Sequence, residues 1–141
     1  MIHTYQEVES FVKKYVEAND FTGGASSEEI NQVEKQLDVK LPEQYKWFLE
    51  KYGYGGVLGI LILGIGKTSN FPVVKYTNRL RDNFNLPKEY VVIESCDEFF
   101  YCLSTINGNV VYWDRVGLGR LVAENFLDFL YEKISDASEN Y

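Results

Sequence analysis

Between Ser26 and Gly53 the chain carries the start and stop signals of two successive helices, and this pair constrains the fold more than any other segment. Ser26 and Glu29 have capping-box spacing: the serine hydroxyl accepts from the backbone N–H three residues on, while the carboxylate reaches back to the serine N–H. Ile30, Val33 and Leu37 then recur at three- and four-residue intervals on one face. The spacing predicts a helix that stops near Asp38. Pro42 has no N–H to lose and is expected to open the next helix, whose apolar stripe is Tyr45, Phe48, Leu49 and Tyr52. Gly53 follows and supplies the left-handed residue that commonly closes a helix.

Upstream, Thr4 and Glu7 repeat the capping-box spacing, and Val8, Phe11, Val12, Tyr15 and Val16 form one stripe. This first helix is expected to end near Asn19, with Asp20 to Ala25 as a loop. Downstream of Tyr54, the run Val57 to Leu63 reads as a strand buried on both faces, and Gly64 to Ser69 as a loop. Pro72, with Asn70 as its cap, is expected to open a helix in which Val73, Tyr76, Leu80 and Phe84 share a face before Asn85-Leu86-Pro87 ends it. Tyr90 to Glu94 returns to strand. Phe99 to Thr105 and Val110 to Asp114 flank Asn107-Gly108, whose tolerance of positive φ predicts a type I′ hairpin. Gly117 to Gly119 reads as a turn before a short strand near Leu121-Val122. Phe126, Phe129, Leu130 and Ile134 mark a last helix, and Ser135 to Tyr141 a frayed tail. Helices first, strands in the middle and a closing helix argue for a single α+β domain over 1–141 with a mainly antiparallel sheet.

The 141 residues suffice for an ordinary core, since a domain of this size buries roughly 68–70% of its unfolded surface. The formal net charge is −7. That sign repels nucleic acid and anionic membranes and attracts a basic protein, although surplus carboxylates also serve solubility alone. The apolar run at 57–65 is far short of the roughly 20 residues of a helical membrane span. The N-terminus combines no basic start with an apolar stretch, so a cytoplasmic location is expected. Cys96 and Cys102 lack metal-type spacing and are expected to be reduced packing residues.

Catalytic chemistry finds little support. Gly64-Ile65-Gly66-Lys67-Thr68 resembles a phosphate-binding loop, but Leu61 stands where the motif needs a glycine, and Pro72 opposes the required helix. A thiol nucleophile needs a nearby base, and the single histidine, His3, lies at a terminus expected to be mobile. Asp97-Glu98, Asp114 and Glu28-Glu29 offer carboxylate pairs, yet each is accounted for by a turn, a strand end or a helix start. One histidine and no compact Asp-x-Asp-x-Asp loop give neither zinc nor calcium a recognisable ligand set, so no metal or cofactor is expected.

Binding is better represented. The chain has 11 Tyr, 9 Phe and 2 Trp. Alternation along the hairpin puts Phe99, Tyr101 and Leu103 on one side and Phe100 and Cys102 on the other, and separates Tyr112 from Trp113. Either helices cover both apolar faces, or one is a partly open aromatic surface rimmed by carboxylates, the build of a protein-binding site. Outward carboxylates expected from the helix stripes and turns are Glu43, Glu50, Asp97, Glu98, Asp114 and Asp128. Candidate aromatic anchors are Tyr54, Tyr101 and Trp113.

The helix pair, Gly55-Gly56 before an apolar run, Asn107-Gly108-Asn109-Val110-Val111-Tyr112-Trp113-Asp114, and the closing Ala123 to Leu130 segment, taken in this order, resemble the SUKH superfamily. That group includes yeast cell-wall synthesis regulators and bacterial immunity proteins that neutralise polymorphic toxins. The resemblance implies a SUKH-like fold and a non-enzymatic protein that binds a cognate toxin. The acidic balance points to the toxin's basic C-terminal nuclease domain as partner. The alternative implied is a regulatory or scaffolding module that binds a cellular protein; an enzyme using carboxylates is the third reading.

Overall fold

The computed structural model describes residues 2–68 and 70–140. Its elements run α1 (Tyr5–Tyr15), α2 (Ser27–Leu37), α3 (Glu43–Lys51), α4 (Pro72–Phe84), β1 (Tyr90–Cys96), β2 (Phe99–Ser104), β3 (Val110–Asp114), β4 (Gly117–Ala123) and α5 (Phe126–Glu139). The four strands form one antiparallel meander in the order β1-β2-β3-β4. The architecture is α+β, as the sequence pattern implies.

The helix starts follow the local chemistry. Ser26 Oγ accepts the Glu29 N–H at 3.2 Å and Glu29 Oε1 accepts the Ser26 N–H at 3.0 Å; Thr4 and Glu7 do the same for α1. Asp38 adopts the left-handed conformation at the α2 end, as Asn85 does after α4. Pro42 sits one position earlier than expected, as the N-cap of α3, and the first turn of that helix has no side-chain cap. Glu34 joins the two signature helices: its buried Oε2 accepts the Leu41 N–H at 2.7 Å and lies 3.4 Å from Lys46 Nζ. Gly53 (φ +77°) lets the chain turn against the loop that follows, where a Cβ on Gly64 would meet the Gly53 carbonyl oxygen at 2.0 Å.

Several expected boundaries move. The first helix stops at Tyr15, and Val16, its C-cap, is exposed. The run Val57 to Leu63 is a folded-back turn instead of a strand. Leu58 and Gly59 take positive φ, Ile60 N–H donates to the Val57 carbonyl, and Ile62 bridges back to Gly55. Its apolar density reflects core contact, with Ile62 and Leu63 buried while Leu61 is 47% exposed. Phe71 is the N-cap of α4 and gives no side-chain cap, so Asn70 does not fill that role. The expected 64–69 loop ends on Ser69, outside the described residues. Gly117 and Gly119 belong to β4, and the turn falls at Arg115-Val116 because Asp114 pairs with Gly117. Ser135 to Glu139 continues α5, held by Ile134 in the core; Tyr141 lies outside the described residues.

The β2–β3 hairpin forms with Tyr101 opposite Tyr112, but its connection is longer than a type I′ turn. Only Gly108 takes positive φ there. Ser104 organises the loop: its Oγ accepts the N–H groups of Ile106 and Asn107, and its carbonyl accepts the Gly108 N–H.

Both sheet faces are covered over most of their length. On one, Thr77 Oγ1 of α4 accepts the Val92 N–H at 2.9 Å, and Phe84 meets Trp113 at 6.0 Å between centroids. On the other, Phe129 of α5 packs on Tyr101 at 5.2 Å. Tyr45, Phe48 and Phe126 interlock beyond the β1 edge, where Tyr45 Oη donates to the Leu63 carbonyl at 2.7 Å. Fully burying a side chain such as Phe48 contributes roughly 1.5–3 kcal/mol.

Candidate partner-binding surface

Two tight turns bring chemistry to one end of the sheet. Asp97-Glu98 joins β1 to β2, with Asp97 at φ +64° and Glu98 N–H donating to the Cys96 carbonyl at 2.9 Å. Arg115-Val116 joins β3 to β4, and Asp114 Oδ1 accepts the Val116 N–H at 2.9 Å. In an antiparallel meander the first and third connections lie at the same end. Glu98, Phe99, Tyr112, Asp114, Arg115 and Val116 accordingly line one groove of about 330 Å³.

An aromatic ladder leads into it. Phe99 and Tyr112, diagonal across the strand pair, stack at 5.0 Å and 23°, and Phe99 meets Tyr101 edge-on at 5.5 Å. Two cations of the chain lie on this ladder: Arg120 is 5.0 Å from the Tyr112 ring and Lys133 Nζ 5.1 Å from Tyr101. Partial loss of solvation, reinforced by the neighbouring Asp114 carboxylate that it hydrogen-bonds, raises the Tyr112 phenol pKa above its ordinary value. Behind the ladder, burial raises the pKa of Glu94 despite the attraction of Lys133.

The structure thus brings together Asp97, Glu98, Tyr101 and Asp114, of which the first two are exposed and the others half-buried. It does not bring the remaining candidates onto this surface. Glu43 is exposed at the start of α3 and lines a separate groove with Ile106 and Asn125 by the β2–β3 loop, at the other end of the sheet. Glu50 is exposed on α3, and Tyr54 is half-buried, its carbonyl accepting the Thr22 N–H. Two expectations are overturned. Trp113 is 3% exposed, because its face of the sheet lies under α4, and so is a core side chain. Asp128 is 6% exposed, because it accepts the His3 N–H at 2.7 Å and the Asn125 Nδ2 at 3.0 Å. His3 is correspondingly fixed and buried, its ring stacked on Tyr131 at 3.7 Å.

Phe99, Tyr112, Arg120 and Lys133 complete the surface without having been singled out as site residues. Alternation along the hairpin was the available signal, since it sets Phe99 and Tyr101 on one face, which Tyr112 shares from the paired strand. The thiols lie outside this chemistry. Both are free, and burial pushes Cys96 up to about 11 and Cys102 up to about 12. Among the described residues no group of His, Cys, Asp and Glu has the arrangement of a metal site, and no helix is long and apolar enough to cross a membrane.

The fold has a counterpart among solved structures. A crystal structure of a protein from Pseudomonas syringae pv. tomato superposes with a TM-score of 0.71 at 17% sequence identity, covering 90% of this chain and 96% of that one. At that identity the likeness speaks for the fold alone. The sequence itself matches the SUKH_5 family model, described as SMI1-KNR4 cell-wall, over residues 4–135. With nearly its whole length matched and its α+β topology shared, this chain belongs to the SUKH family.

Proposed function

We propose that this protein is an immunity protein that binds a cognate toxin stoichiometrically and blocks it, the toxin being a basic nuclease. The family includes toxin immunity proteins, and its membership implies action through protein contacts. The observation that carries the reading is the sheet end, where the carboxylates of Asp97, Glu98 and Asp114 rim an aromatic ladder. Aromatic anchors inside a polar rim are the usual build of a protein-recognition surface. A nuclease groove is lined with Lys and Arg to hold a polyanion, so an acidic protein occludes it and gains a fast electrostatic encounter.

The direct test looks beside the gene for a large protein with a basic C-terminal domain and pairs the chain with that domain. Nuclease activity should fall linearly to zero at one equivalent of this protein. Reversing Asp97 and Glu98 to Lys should slow association and flatten its dependence on salt. Full nuclease activity in the presence of excess protein would overturn the reading. The family's cell-wall description favours one second reading, a regulatory module for a cellular protein. That reading gains if no toxin is encoded nearby and a cell-wall synthesis protein is retained by the wild-type chain but not by the double reversal.

A further inference from the structure

The aromatic ladder has a patterned relation to cations. Lys133 lies over Tyr101 and Arg120 over Tyr112, each at a distance typical of a cation–π contact. The ladder continues to Phe99, where the groove opens between the hairpin tips, and Glu98 and Asp114 stand on its walls. Among the described residues none of the ion pairs involves Glu98 or Asp114. Asp114 accepts the Val116 N–H and the Tyr112 hydroxyl, and a carboxylate, with about four lone-pair sites, retains further acceptor positions. The open end therefore combines an aromatic surface, two carboxylates and an unfilled volume of about 330 Å³, the complement of a flat cation.

We propose that this groove is a subsite for an arginine side chain of a basic protein partner, the guanidinium lying by Phe99 and Tyr112 and donating to Glu98 and Asp114. A planar guanidinium stacks on rings while its fork of N–H groups meets carboxylates, whereas an ammonium is a more strongly hydrated point charge. Arginine is therefore preferred over lysine. Arg115, on the groove lining, and Arg120, over one face of the Tyr112 ring, are the chain's own competing positive charges. The proposal rests on the protein-binding reading above and deepens it, yet it concerns a property of the isolated chain.

The probe is N-acetyl-arginine methylamide, titrated into the full chain with detection by NMR of the Phe99 and Tyr112 ring signals and the Val116 amide. Saturable shifts confined to these groups are expected, stronger than with N-acetyl-lysine methylamide and absent with N-acetyl-norleucine methylamide. Glu98→Gln combined with Asp114→Asn should weaken binding by about five-fold, the scale of exposed ion pairs with a cation–π contribution. Both changes keep the side-chain shape, and the Glu98→Gln variant alone alters only an exposed turn residue. Arg115→Gln should tighten binding. Shifts that do not saturate, an equal response to norleucine, or unchanged affinity in the double variant would overturn the proposal. Because no toxin is present, such a failure leaves stoichiometric inhibition standing, and loss of inhibition with intact probe binding sinks only the toxin reading.

Discussion

Lys133 Nζ lies 3.3 Å from Glu94 Oε1, a carboxylate only 7% exposed on the sheet face that α5 covers. Burial works against the charged carboxylate more strongly than Lys133 supports it, so the folded-state pKa of Glu94 is raised above 4.5. Across the interval from 4.5 up to that raised value, the native protein holds a proton that the unfolded chain has released. Stability from this group is therefore highest at or below 4.5 and is lost as pH rises through the folded value.

Glu94→Gln should remove that fall and leave the neutral-pH melting temperature equal to or above that of the wild type, since a buried ion pair is often no better than a neutral replacement. Lys133 is partly exposed and can turn to solvent. Glu7, Glu9 and Asp38 have lowered pKa values and act oppositely: what they contribute is present above 4.5 or 3.8 and is lost as pH falls through their folded values. Melting curves across both windows separate the effects. A Glu94→Gln protein that is less stable than the wild type at neutral pH but not at acid pH would mean that the ion pair is net stabilising.

Trp113 and Tyr101 should respond differently to truncation although they lie on neighbouring strands. Trp113→Ala empties a site between Phe84 and Phe100 and should cost about 3–5 kcal/mol of folding stability. Tyr101 is half-buried, and its loss should cost less in folding and, if it contacts the partner, about 2 kcal/mol or more of binding through faster dissociation. Thermal unfolding and partner off-rate measured on each variant distinguish the two. A normal off-rate for a folded Tyr101→Ala protein would remove that ring from the interface.

The sequence made the helix pair legible because caps and stripes are local: Ser26, Glu29, Asp38 and Gly53 each satisfy backbone groups within a few residues. The sheet register was partly legible through the Asn107-Gly108 region, yet the loop geometry depends on Ser104, whose hydroxyl captures two N–H groups. Val57 to Leu63 misleads because hydrophobicity reports burial and leaves backbone direction open; Leu58 takes a positive φ that its side chain disfavours. The same limit explains the site residues. Asp97, Glu98 and Asp114 were placed by turn chemistry, whereas the burial of Asp128 and Trp113 depends on His3, 125 positions away from Asp128, and on α4.

Cys96 and Cys102 should behave as packing groups. Their raised pKa values, about 11 and about 12, leave little thiolate at neutral pH, and thiolate is the reacting form. A thiol-selective disulfide reagent should modify the native protein slowly, Cys96 before the fully buried Cys102, and both rapidly in denaturant. Cys96→Ala with Cys102→Ala should leave partner binding unchanged in a folded protein. Rapid native modification of Cys96, or lost binding by the folded double variant, would count against this view.

Asp128 ties the N-terminal segment to the start of α5. Its backbone N–H donates to Asn125 Oδ1 at 2.9 Å, its Oδ2 accepts Asn125 Nδ2, and its Oδ1 accepts the His3 N–H. Asp128→Ala should remove the carboxylate's share of this cap and leave a buried donor unpaired, costing about 2–3 kcal/mol in chemical denaturation. Asp128→Asn retains one acceptor and should cost less. In a chain shortened to begin after His3, the Asp128→Ala cost should shrink, because one of the bonds it breaks is already gone. Equal costs in the two backgrounds would show that the His3 contact carries no coupling. Association with the partner should be the same for Asp128→Asn and wild type, since a carboxylate buried beneath His3 adds little to the outer field.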